Sequence, residues 1–392
     1  MIRYIRLPLL LAVLGLGSTT PDHARPGSDN TDYVHRFKEP AVGVIFDTDM
    51  WSDIDDMLAL AMLHALHDRH EISLLAVTIS TDDPSCAPYV DLVNTFYGHP
   101  QIPVGIVRGG MNVQQFRKRF PEVAWPVTRF TEVVSQRKSN EGITIYPHRL
   151  TEGTEAPEAV SLLRKTLEAQ PDNSVIVIQV GYSTNLARLL DSKPDAGSPL
   201  TGYGLVAKKV RLLSVMAGSF GDSQFHGGPI PRGSPEFNLM VDVPAAQNVF
   251  STWPTPIVDS GLEIGLAMMY SGQSIAHDYS YVENHPIVDS YRAYCNDAKA
   301  SNPSIKRCPE DHDHATPDLT AVLYAARPEK HYFSLSNPGK ITVLDNGGSR
   351  FDEIPGGQHR YLILNEADRA RTLEAMVMLA SQPPVHPANL DQ

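Results

Sequence analysis

The segment FDTDMWSDIDD, residues 46–56, puts five aspartates within ten positions: Asp47, Asp49, Asp53, Asp55 and Asp56. Like charges this dense repel, so a cation must offset them or some must hold a proton. An all-oxygen donor set suits a hard cation, Ca²⁺ or Mg²⁺. Asp47 and Asp49 stand two apart at the end of an extended run and point to one side. Asp55 and Asp56 open the next helix, whose dipole favours anions. A charge run is more commonly a solvated turn. Here apolar walls on both sides pin the turn to the edge of a sheet.

Those walls belong to a repeating pattern. Val42–Phe46 is a short continuous apolar run, expected as a strand covered on both faces. Residues 57–67 are apolar nearly all round and predict a buried helix. Strands at 72–79 and 102–107 flank a helix at 88–97. Helix 159–168, strand 175–180, helix 183–190 and strand 210–216 follow, then a short strand at 256–259 and helices at 319–326 and 365–381. This alternation predicts an α/β fold with an open, mostly parallel, doubly wound sheet. Thr81-Asp82-Asp83, Gly181 to Asn185 and Ala217-Gly218-Ser219 each follow a strand, as the aspartates do. They therefore meet at the carboxyl ends, where such sheets bind ligands. Glu236 and Asn238 are two apart, and a carboxylate beside an amide suits sugar hydroxyls. Residues 108–148, 218–235 and 271–316 read as insertions over that rim.

With 42% hydrophobic and 20% charged residues, the 392-residue chain is a folded protein. Its net charge of −12 and lack of a basic stripe argue against a nucleic-acid polymer or an anionic membrane as partner. The expected partner is a small molecule, and the chain is compatible with a homo-oligomer. Two arginines before an apolar run at 7–17 read as a cleavable export signal over 1–24, the run being too short to span a bilayer comfortably, with an uncleaved anchor as the alternative. A loose leader (25–40), one catalytic domain (41–383) and a polar tail (384–392) follow, for a periplasmic or secreted protein. Of three cysteines, Cys86 is expected to be buried. Cys295 and Cys308 either close a short loop or stay free thiols. No spacing suggests zinc.

In this order the motifs resemble the calcium-dependent nucleoside hydrolases of the inosine–uridine-preferring type. DTDMWSDIDDMLAL stands against the family's DTDPGIDDALAL, and Tyr182-Ser183-Thr184-Asn185 against PLTN. Met216-Ala217-Gly218 stands against MGG, and Glu236-Phe237-Asn238 against EFN. Pro317-Asp318-Leu319 stands against a late HDA. The resemblance implies cleavage of an N-ribosidic bond, with Ca²⁺ as cofactor and a riboside as substrate. It makes Asp49 both a metal ligand and the base that activates water. Asp56, the carbonyl of Thr184 and Asp318 are the other metal ligands. Asp55, Asp83, Met216, Glu236 and Asn238 bind the substrate, and Asp47 supports the site from beside it.

Three departures stand out. Four residues, Met50 to Asp53, separate Asp49 from Ile54, where the common family form has two; an exported bacterial-looking branch shares the longer form. Asp83 stands where many members carry Asn. Pro317 replaces a histidine that in some members helps the departing base gain a proton. His312 and His314 lie just upstream and read as a solvated loop; His64, His67 and His70 read as packing or surface residues. A dehalogenase-type phosphatase also opens with DxD but leaves IDD unexplained. An EF-hand fails because Trp51 occupies a place for an oxygen ligand. The alternative of another class is an exported binding protein that keeps the calcium site without turnover.

Overall fold

The computed structural model describes residues 41–51, 53–121, 129–225, 228–301 and 304–385. The expected export signal, the leader and the tail beyond 385 lie outside the described residues.

The sheet contains β1 (Val42–Thr48), β2 (Ile72–Thr81), β3 (Val104–Met111), β4 (Val175–Gln179) and β5 (Val210–Met216). It continues with β6 (Ile257–Ser260), β7 (Gly339–Val343), β8 (Ser349–Glu353) and β9 (His359–Ile363). Their order is β8-β7-β9-β6-β5-β4-β1-β2-β3, with a short strand, Ser334–Leu335, on β9. All pairs from β9 through β6 to β3 are parallel. The antiparallel pairs lie at the other edge: β7 runs against β8 and β9, and Ser334–Leu335 runs against β9. The expected open, mostly parallel sheet is therefore present, and it carries a C-terminal extension that the alternation did not predict.

Eight helices matter here: α1 (Asp55–Asp68), α2 (Cys86–Phe96), α3 (Ala159–Glu168), α4 (Thr184–Asp191), α5 (Phe237–Val241), α6 (Pro286–Ser301), α7 (Pro317–Ala326) and α8 (Glu366–Ala380). Helix α1 packs on α7 and α8, and its leucines 58, 60, 63 and 66 are fully buried. Each such side chain contributes about 1.5–3 kcal/mol relative to exposure. Helices α3 and α4 cover the opposite face. Side chains along β1 alternate between the two cores: Val44 and Phe46 enter one, Ile45 the other. Double coverage explains why the strand reads as an unbroken apolar run.

The chain leaves β1 for β2 and β3 on one side and returns to β4, β5 and β6 on the other. The topological switch point thus lies between β1 and β4, directly under the aspartate loop. Residues 271–316, read as a polar insertion, contain the 16-residue helix α6. Cys295 on α6 is bridged to Cys308, and Cys86 is free and buried.

Candidate active site

Asp47 is the last inward residue of β1 before the loop. Its Oδ1 accepts from Thr78 Oγ1 at 2.5 Å and from Asn185 Nδ2 at 2.8 Å, which ties β1 to β2 and α4. Burial pushes its carboxyl up to about 7, against these two donors. Thr48 Oγ1 accepts from Met50 N at 3.0 Å and donates to Asp56. Thr81 Oγ1 donates to the Asp49 carbonyl at 3.2 Å. Opposite, a Cβ on Gly181 would stand 2.3 Å from the Asp49 nitrogen, so only glycine lets the end of β4 approach this closely.

The loop and the first turn of α1 then meet the start of α7. One carboxylate oxygen from each of Asp55, Asp56 and Asp318 lies within 4.8 Å of the others. Asp318 N donates to Asp55 Oδ2 at 3.0 Å. Asp49, Asp55, Asp56 and Asp318 are all buried. Burial first, and then neighbouring carboxylates, hold Asp49, Asp56 and Asp318 well above the usual carboxylate range. Burial, with the Asp53 charge, lifts Asp55 to about 7. This is an arrangement of hard oxygen donors whose mutual repulsion a divalent cation relieves, so the residues fit a calcium-type ion.

His314 is not the solvated residue expected from its loop. Its Nε2 pairs with Asp53 Oδ1 at 2.6 Å, and only 14% of its side chain is exposed. Burial opposes the charges of both partners, yet the pairing holds Asp53 below and His314 above their usual ranges. His312 packs against Tyr291 and Tyr294. His64 is buried and bonds Asn94 at 2.9 Å, a packing role as expected.

The remaining predicted residues are placed differently. Thr184 Oγ1 donates to Asp242 at 2.5 Å, which holds the start of α4. Glu236 caps α5: its two oxygens accept from Asn238 N (2.9 Å), Leu239 N (3.2 Å) and Gly218 N (3.1 Å). Burial nevertheless raises it to about 7. Asn238 Nδ2 donates to Val180 O at 2.8 Å and to Met216 O and Sδ at 3.2 Å, joining the ends of β4 and β5. Asp83 turns onto Ser85, whose nitrogen donates at 2.9 Å and whose hydroxyl donates at 2.6 Å.

The sequence did not single out Asp259 and Tyr182. Asp259, next to last in β6, is fully buried and lifted well above its usual range by burial and by Glu236. Tyr182 packs its ring edge-on to Phe237 at 5.9 Å; Phe237 meets Phe116 at 5.5 Å, and Phe116 meets Trp51 at 5.8 Å. This aromatic layer covers the loop beside Asp49. Two signals were available for them: Asp259 closes an apolar strand, and Tyr182 lies in the YSTN turn.

Solved structures share the architecture. A plant nucleoside hydrolase superposes with a TM-score of 0.61 at 17% identity, covering 88% of this chain and 100% of that one. The purine-preferring ribonucleoside hydrolase from Gardnerella vaginalis gives 0.61 at 15%, covering 86% and 98%. In sequence, the pyrimidine-specific ribonucleoside hydrolase RihA of Escherichia coli O1:K1 is 34% identical over 118 residues, 29% of this chain and 32% of that relative. The chain thus matches about a third of the length of that relative. The model of the inosine-uridine preferring nucleoside hydrolase family matches residues 44–376, from β1 into α8. With that match running through every strand and over the aspartate loop, the chain belongs to the inosine-uridine preferring nucleoside hydrolase family.

Proposed function

We propose that the protein hydrolyses the N-glycosidic bond of ribonucleosides or related N-ribosides at the aspartate rim, with calcium as its ion. The observation that carries this is the convergence of Asp55, Asp56 and Asp318 at the switch point, beside Asp49, with carboxylates raised by one another. Asp49, Asp56, the Thr184 carbonyl and Asp318 are the ligands. The bound ion supplies hold on a ribose diol and a lowered pKa for a water beside it. Asp49 takes a proton from the attacking water as its oxygen bonds to the anomeric carbon. The C–N bond breaks, its electron pair leaves with the base, and the base takes a proton from solvent, while the proton on Asp49 returns to solvent. Negative charge from Asp55 stabilises the oxocarbenium-like sugar during this exchange. Asp47 supports the loop from below. Asp55 and the Glu236–Asn238 corner orient the ribose, and Met216 lies against it.

Residues 1–24 direct export in this account, and the Cys295–Cys308 bridge supports an oxidising destination. Pro317 favours a second reading, a binding protein without turnover. Proline fits the N-terminal turn of α7, and a Cβ on Gly265 would stand only 2.3 Å from it, but it has no proton to give a leaving base. A panel of ribosides assayed for released reducing sugar, with calcium and after chelation, decides between them. Calcium-dependent release is expected; a calcium-dependent thermal shift by ribosides without release establishes the binding protein.

A further inference from the structure

Tyr182 follows β4 and is fully buried. Its nitrogen donates to Ser80 Oγ at 3.1 Å, and its ring is held by Phe237. Backbone and ring are therefore both fixed. The hydroxyl lies beside the Asp49 carboxylate and the Thr81 hydroxyl, near enough to act on each. With neither does it complete a hydrogen bond of good geometry. A buried hydroxyl without a partner opposes folding, and phenylalanine would fill the same space without that burden. A polar atom kept under such conditions points to a partner acquired in the working state.

We propose that Tyr182 is a positioning residue for Asp49: its O–H donates to one carboxylate oxygen and thereby presents the other to the attacking water. This rests on the hydrolase role of Asp49. Of the two groups beside the hydroxyl, the Asp49 carboxylate is the stronger acceptor. A phenol ordinarily titrates at about 10, so at neutral pH the hydroxyl keeps its proton and remains a donor. As a neutral group it neither repels a cation nor replaces a ligand. It adds a side-chain donor to a carboxylate that otherwise has its own backbone nitrogen and neighbouring acids around it.

The test uses Tyr182→Phe in the full chain. With a nitrophenyl riboside at saturating calcium, kcat is expected to fall ~10–100-fold, the scale of a lost hydrogen bond to a charged group. KM and calcium affinity should stay within about twofold, and the melting temperature should not fall, because only an unpaired hydroxyl is removed. An unchanged kcat overturns the assignment. So does a loss of kcat accompanied by lower melting temperature and weaker calcium binding, which marks a packing role. A crystal structure of the wild-type protein with calcium alone gives an answer independent of turnover. Tyr182 Oη within hydrogen-bond distance of the Asp49 carboxylate supports the assignment, and a hydroxyl turned away overturns it. Wild-type protein that releases no sugar refutes the hydrolase activity instead, and the calcium structure still decides the contact.

Discussion

The aspartate rim after β1 and the Glu236 corner after β5 hold carboxylates that are buried to the same degree but answered differently. At Glu236, three backbone N–H groups from α5 and Gly218 reach the two oxygens. At Asp49, Asp56 and Asp318, the strongest influences after burial include other carboxylates. One corner completes its acid from within the fold. The other gathers acids and leaves their charge to something from outside. Both are buried carboxylates, so the arrangement of donors is what separates an acid completed by the fold from a cation-seeking one.

The largest effect expected is at the rim. Asp49→Ala should lower kcat by ~10²–10⁴-fold, as loss of a general base does. Asp56→Ala and Asp318→Ala should each lose most bound calcium along with activity. Steady-state kinetics with elemental analysis checks all three variants, and full activity in any of them breaks the contrast between the two corners.

The leaving group should show the next largest difference. In the proposed reaction Asp55 and the Glu236–Asn238 corner hold the sugar, but Pro317 has no proton to give a base. A nitrophenyl riboside should be cleaved ~10²–10⁴-fold faster than inosine or uridine, the range of a missing general acid. Equal kcat/KM values would mean that another group supplies the proton, and His314→Ala is then the variant to make.

At the satisfied corner the effect should fall on stability. Glu236→Ala removes the cap of α5 and should destabilise by about 0.5–2 kcal/mol, while calcium affinity stays unchanged. Denaturant midpoints and calcium titration separate the two quantities. A variant that folds as well as the parent but binds calcium more weakly would erase the distinction.

The smallest effect concerns pH. Asp55 is lifted to about 7, and Asp49, Asp56 and Asp318 also lie above their usual range. Acids raised on folding stabilise the metal-free protein below their unfolded values near 4, and this is lost as pH rises through their folded values, about 7 for Asp55. Buried neutral histidines, His64 and His285 among them, act in the opposite sense below about 6.5. They cancel when melting temperatures with and without calcium are subtracted at each pH. That difference should grow from about pH 5 to about pH 8, as protons stop competing for the carboxylates. A difference independent of pH would place calcium elsewhere.

The core of the fold was legible because β1 and β4 are covered on both faces and α1 is apolar nearly all round. Strands β7 to β9 were not, since polar and partly exposed residues interrupt each of them and most of β8 faces solvent. Helix α6 hid in a polar segment because only part of its surface, Tyr291 and Cys295 included, enters the core. The aspartates were legible because five of them crowd one loop. The His314–Asp53 pair joins residues 261 positions apart. Tyr182 meets Asp49 only because β4 lies beside β1 in the sheet. No local pattern encodes either contact.

Calcium titration of the chelator-stripped protein at neutral pH, beside Asp318→Asn and Glu236→Gln, tests the central claim most directly. We expect saturable binding by the parent and by Glu236→Gln, and its loss in Asp318→Asn. Equal binding by all three proteins, or none by the parent, would contradict a cation site at the aspartate rim.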